Sequence, residues 1–265
     1  MEMTNETIYN YTLHFADNAL ILAQRNSEWC GHGPILEQDI AITNISLDLI
    51  GQARSLYQYA AELANTSNSI GVEARGEVNE DTLAYLREGR AYKNCLLVEQ
   101  PNGDWAQTIL RQFFFSVYQY FLYQRLQQSS DATLAAIAEK SLKEVTYHVR
   151  WSSEWVIRLG DGTEESRNRL LNAFDELWMF TGEMFTPAGY EMEAVKLGIG
   201  VDVKTIKPAW EQRVNEIFAE ATLPSPATEG VWMQSGGKDG MHTEQLGFIL
   251  AEMQSMQRTF PGCEW

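Results

Sequence analysis

Glu144 and His148 stand four residues apart in SLKEVTYHVRWSSEW (141–155), inside an apolar-periodic stretch. On a helix that spacing puts a carboxylate and an imidazole on one face. Such a pair is half of a carboxylate-bridged di-iron site, in which two bundle helices each give a Glu and two others each give Glu-x-x-His. The chemistry would be oxygen activation, with hard carboxylates holding the metal pair and imidazoles leaving positions open. Four histidines make the test short, because Tyr11, Trp29, Val145 and Asp239 stand three residues before His14, His32, His148 and His242. No Glu-x-x-His occurs. Asp48, in NISLDLIGQA, could replace a ligand Glu, but Gly51 holds the histidine slot. From Trp105 through Ser130 there is no Asp or Glu at all, so that helix offers no bridging carboxylate.

The same residues have plainer readings. Leu142, Val145, Val149, Ser152 and Val156 define an inward stripe. His148 lies roughly 60° from it and Glu144 about 100°, so partial burial and a mutual hydrogen bond are expected, beside the readings as a degenerate metal site or a catalytic base. Asp48 reads as a buried carboxylate bonded to Asn44 or a neighbouring helix, and Gly51 as a place where another helix comes close. The GGKDG turn, with Gly236, Gly237 and Lys238, could hold an anion on backbone N–H groups, dock a partner or simply turn the chain. Cys30 and His32 in EWCGHG are a weak nucleophile pair.

These side chains must be positioned by helices. Apolar residues recur at helical spacing from Thr7 to Gln24 and from Ile35 to Ala64, with Pro34 placed for the first turn of the second helix. The polar segment 65–79 is a surface loop. Asp81 caps a third helix that stops before Pro101, Asp104 a fourth reaching Gln128, Asp131 a fifth ending at LGDG, and Thr163 a sixth ending before Pro187. Shorter helices span Glu191–Leu197 and Pro208–Ala221, the latter followed by the loop TLPSPATEG, and the last runs from Met241 to Thr259. Four long helices with few strand signals predict an all-α, ferritin-like up-and-down four-helix bundle with additional packed helices, and no composition shift divides residues 1–265 into more than one domain.

The 265 residues carry 36 acidic and 20 basic side chains, a formal net charge of −16. That balance argues against nucleic acid and against an anionic membrane surface. Cys30, Cys95 and Cys263 are too few and too scattered for a disulfide framework or zinc knuckle. The N-terminal MEMTNETIYNYTL has neither the basic nor the apolar region of a secretory leader, and no run of apolar residues is long enough to span a bilayer. A cytoplasmic protein is expected. An aromatic-rich bundle without a site of its own is expected to place apolar surface against a partner, or against a second copy when isolated.

The stretches EWCGHGPILEQDIAITNISLDLIGQARSLYQYAAEL, EDTLAYLREGRAYKNCLLVEQPNGDWAQTILRQFF and GGKDGMHTEQLGFILAEMQSMQRTFPG resemble the C subunits of bacterial ring-1,2-phenylacetyl-CoA epoxidase, the multicomponent oxygenase of aerobic phenylacetate degradation. The likeness covers nearly the whole chain from Tyr11, with a longer loop at 66–79. It implies a ferritin-like subunit with no cofactor of its own, in which Asp48, Glu144 and His148 are vestiges. The di-iron centre and the substrate would belong to the paralogous A subunit, and a reductase subunit would supply electrons. Three readings stand at this point: a structural subunit of that complex, an independent metal-binding oxidoreductase around Asp48, Glu144 and His148, and a stand-alone bundle binding a CoA-like anion at GGKDG.

Overall fold

The computed structural model describes residues 2–67, 70, 77–226 and 230–263. Among these every regular element is helical, and the fold is all-α, consistent with a ferritin-like helical bundle. Much of the long loop expected at 66–79, and part of TLPSPATEG, lies outside the described residues. Two compact units make up the chain, and the backbone passes between them repeatedly: 1–95 with 188–200 and 236–265, and 96–187 with 201–235.

The first unit is built on α1 (Glu2–Ser27) and α2 (Leu36–Thr66), with α3 (Glu80–Tyr85), α8 (Gly189–Lys196), α10 (Glu244–Met253) and α11 (Ser255–Thr259). The second is built on α5 (Trp105–Leu126) and α6 (Ala132–Gly160), with α4 (Leu96–Glu99), α7 (Glu164–Leu177) and α9 (Lys207–Glu220). Each long pair is joined by a short loop and packs along its length, so each is an antiparallel hairpin.

The caps read from sequence hold where they are local. Asp104 accepts from the Gln107 N–H (3.1 Å), Asp131 from Thr133 and Leu134 (3.0 and 2.9 Å), and Thr163 exchanges hydrogen bonds with Ser166. Pro34 falls one residue before the α2 cap, Ile35, rather than inside the first turn. The third helix is not one helix. Asn79, not Asp81, caps the six-residue α3, and the chain then runs through irregular structure to α4. The cause is non-local: the backbone N–H groups of Lys93 and Cys95 donate to Asp17 and Asn18 of α1 (2.8 Å each), which a continuous helix would forbid. The last helix starts only at Glu244 behind a Thr243 cap and breaks at Gln254, whose amide donates to the Arg87 carbonyl and the Tyr92 hydroxyl (3.0 Å each).

In the second unit Trp210 anchors α9. Its indole N–H donates to the Phe114 carbonyl (2.9 Å), and its ring packs among Phe114, Trp178 and Phe185. Gly160, at the end of α6, lies against Ala221: a Cβ there would sit 2.4 Å from the Ala221 carbonyl oxygen. Gly51 is the opposite case and corrects the close approach expected of it, because a Cβ at that position meets nothing within 4 Å. Thermal unfolding of two variants separates these roles. Gly51→Ala should gain about 1 kcal/mol from helix propensity, raising Tm by about 2–4 °C. Gly160→Ala should lose about 1–3 kcal/mol to overpacking.

Candidate functional site

The densest polar chemistry in the first unit is gathered by α1. His14, Asp17 and Asn18 are all buried on its inward face. The Asp17 carboxylate accepts from the Tyr57 hydroxyl of α2 (2.6 Å), the Lys93 N–H (2.8 Å) and both terminal nitrogens of Arg87. Arg87 is saturated in turn. Its Nε–H donates to the Leu83 carbonyl (2.6 Å), and its remaining N–H groups reach the Ala91 carbonyl (2.7 Å) and the Tyr57 oxygen (3.3 Å) as well as Asp17. The guanidinium also lies over the Tyr92 ring, 4.3 Å from its centroid. Burial works against the charge on Arg87, and Asp17 more than offsets it, so the guanidinium's pKa is raised further. Burial and the neighbouring carboxylate push the Tyr57 hydroxyl well above its ordinary range. Every donor and acceptor here has a partner within the protein, which is the arrangement of a structural tie rather than of a group poised to move a proton.

A second buried group adjoins it through His14. Lys238 is 3% exposed, and its ammonium meets both oxygens of Glu191 (2.9 and 3.2 Å). Glu191 also accepts from the Ala188 N–H (2.7 Å) at the start of α8, and the His14 Nε2 lies 3.8 Å from it. His14 Nδ1 faces the Lys93 carbonyl at 2.7 Å, so Nδ1 carries the proton. Burial, opposed by Glu191, holds the His14 pKa down to about 4. This corrects the anion reading of GGKDG: Gly236 and Gly237 are buried with Lys238, whose charge is already engaged inside the unit. The sequence carried a weak signal for both clusters, a lone Asp and a lone His within the largely apolar 13–23 stretch of α1, but nothing in it named their partners.

The residues first singled out are divided between the two units. Asp48 sits in the first unit and is half-exposed, with Asn44 exposed beside it, rather than buried. Glu144 and His148 lie on α6 in the second unit. His148 is fully buried, deeper than its angle from the stripe suggested, because α5, α7 and α9 all pack on α6 and widen its inward arc. Glu144 is half-buried near Tyr123, whose hydroxyl is raised chiefly by burial and further by that carboxylate. Among the described residues no three His, Cys, Asp or Glu side chains group as metal ligands, so the di-iron donor set implied by the fold class does not fit here. Cys30 and His32 are both exposed on the loop before α2.

The whole chain, residues 1–265, matches the model of a family described as phenylacetic acid catabolic protein. The chain belongs to that family. It is 48% identical over 255 residues, 96% of its own length and 98% of the relative's, to the C subunit of the 1,2-phenylacetyl-CoA epoxidase of Escherichia coli (strain K12). In this chain the buried acids Asp17 and Glu191 are held in internal ties, with donors on the same unit.

His14 makes one of those ties sensitive to pH. Its imidazole titrates near 6.5 in the unfolded chain and near 4 when buried. Between those values the unfolded state binds a proton that the folded state does not, so stability falls as pH drops. The loss is on the order of 3 kcal/mol across the window, about 1.4 kcal/mol per pH unit. Melting curves from about pH 7 to 4 should show a clearly shallower pH slope for His14→Gln than for the natural protein.

Proposed function

We propose that this chain is a structural, non-catalytic subunit of a phenylacetyl-CoA epoxidase, acting in the cytoplasm by supporting a paralogous catalytic subunit. In this reading the di-iron centre lies in that partner and a reductase subunit delivers electrons. The observation that carries it is likeness over nearly the full length of both chains to a protein named as one subunit of an epoxidase. No helix among the described residues is long and apolar enough to cross a membrane.

The surface of α2 supports the same reading. Leu36, Ile40, Leu47 and Ile50 are 71%, 52%, 59% and 38% exposed, and they recur at spacings of four, seven and three. Those intervals form a heptad seam of the kind that receives another helix. Ile42, Ile45, Leu49 and Ala53 meanwhile fill the opposite, buried face of the same helix. Most exposed large apolar side chains among the described residues belong to the first unit, the exceptions being Tyr147, Val231 and Trp232. Such concentration marks an interface.

Two measurements test the reading. Protein purified from iron-replete cells should carry less than about 0.1 iron per chain, whereas the ferritin-like di-iron arrangement would give about two and defeat the non-catalytic assignment. Leu47→Glu combined with Ile50→Lys should leave Tm within about 2 °C, since both side chains are exposed, while weakening co-purification with the catalytic partner about a hundredfold. Unchanged assembly would remove the α2 face from the interface.

A further inference from the structure

Gly51 is a glycine that nothing inside the chain requires. It sits in the middle of α2, where glycine weakens a helix relative to alanine. Its backbone is not left-handed, and a Cβ built there meets nothing within 4 Å. The position is exposed, and it stands beside the apolar row of α2. Thr43, half-exposed, fills the interval between Ile40 and Leu47, so Leu36, Ile40, Thr43, Leu47, Ile50 and Arg54 alternate at four and three residues. That is a coiled-coil seam, and it is open on one side. Ser46 and Ala53, on one flank, are buried within the chain. Glu37, Asn44, Gly51 and Gln58, on the other, are exposed. A helix laid on the seam is therefore displaced toward the open flank, and Gly51 lies beneath it. Ser55, one turn on, donates its hydroxyl to the Gly51 carbonyl (3.0 Å), so the backbone bared by the glycine keeps its hydrogen bonds within α2 when it is covered.

Charge defines the occupant. The open flank carries Glu37 and Glu62, both exposed and neither in an ion pair among the described residues, with Asp48 half-exposed between them. Arg54, at the end of the seam, is already engaged by Glu80 (3.3 Å). A seam with an acidic margin fits a helix that has an apolar stripe and Lys or Arg along one edge. A second copy of this chain fits worse. Laid antiparallel on itself, α2 sets the open flank against its own counterpart, and carboxylates then face carboxylates.

We propose that Gly51 is the point where a helix of the catalytic partner crosses α2, and that this helix has an apolar stripe and a basic edge. The missing side chain lets the partner helix seat at or inside the roughly 8–10 Å axis separation of ordinary helix pairs. The chain keeps a residue that lowers its own stability because assembly uses the space. This inference rests on the structural-subunit reading and adds to it the chemistry of the partner helix and its point of closest contact.

The test measures the stability of the free chain and its assembly with the catalytic subunit on the same variants. Gly51→Ala should raise the Tm of the free chain by about 2–4 °C and yet weaken assembly about tenfold. Gly51→Leu should leave the free chain folded, since the space at that position is open, and weaken assembly at least about a hundredfold. A local effect on α2 alone would not move the two readouts in opposite directions. Glu37→Gln with Glu62→Gln should slow association about tenfold at low salt and flatten its dependence on ionic strength. Unchanged assembly of Gly51→Leu overturns the proposal; if Leu47→Glu with Ile50→Lys still disrupts the complex, the α2 face stands as the interface and the crossing alone is lost. Association that is unaffected by removing both carboxylates overturns the basic edge. A homodimer broken by Gly51→Leu while the catalytic subunit stays bound gives the crossing to a second copy and overturns the proposal as well. If the natural chain forms no complex with the catalytic subunit, the proposal falls together with the structural-subunit reading.

Discussion

The first unit depends on one buried charge. Asp17 is fully enclosed, and an ionised carboxylate in that setting costs several kcal/mol unless its lone pairs are filled. Tyr57, Arg87 and the Lys93 N–H fill them. Each donor comes from a different part of the chain, so one side chain on α1 fixes α2, the end of α3 and the irregular segment that follows. Arg87 then becomes the next constraint. It is held by two carbonyls as well as by Asp17, and it carries Tyr92 beneath its plane. Gln254 and His242 reach Tyr92 in turn, through its hydroxyl and its carbonyl (3.0 Å each), and so draw the C-terminal helices onto the same centre.

This network explains which parts of the fold were legible in the sequence. The α5, α6 and α7 starts were readable because Asp104, Asp131 and Thr163 satisfy N–H groups two or three residues away. Local chemistry leaves a local signature. The segment after α3 reads as helix but is not, because its backbone is claimed by Asp17 and Asn18, more than seventy residues earlier. No periodicity records such a claim. Lys238 is deceptive for the same reason: a lysine between glycines looks like a surface cation until Glu191 is seen beside it.

The buried acids share a rule. Asp17 meets Arg87 and a backbone N–H, Glu191 meets Lys238 and a backbone N–H, and Glu183 accepts from the Leu96 N–H at 2.7 Å. A di-iron site needs carboxylates whose lone pairs converge on shared points in space. Here each of these carboxylates faces donors belonging to the protein itself. The carboxylate-free α5 is the part of this rule that could be read directly, because an absent side chain needs no structure to be noticed.

Asp48 and Gly51 depart from expectation for a different reason, and it bears on how α2 should be understood. The stretch IAITNISLDLI is apolar nearly all the way round, and a helix of that kind reads as buried on every side. Only half of that expectation is met within one chain. Ile42, Ile45 and Leu49 are enclosed by folding, whereas Leu47 and Ile50 remain outside with Gly51 open between turns. Burial during folding and burial during assembly draw on the same residue types, so a sequence records their sum. The difference between the apolar pattern of α2 and the part of it covered here is therefore itself a measurement. It gives the apolar area that folding leaves uncovered, on the helix where the exposed seam runs.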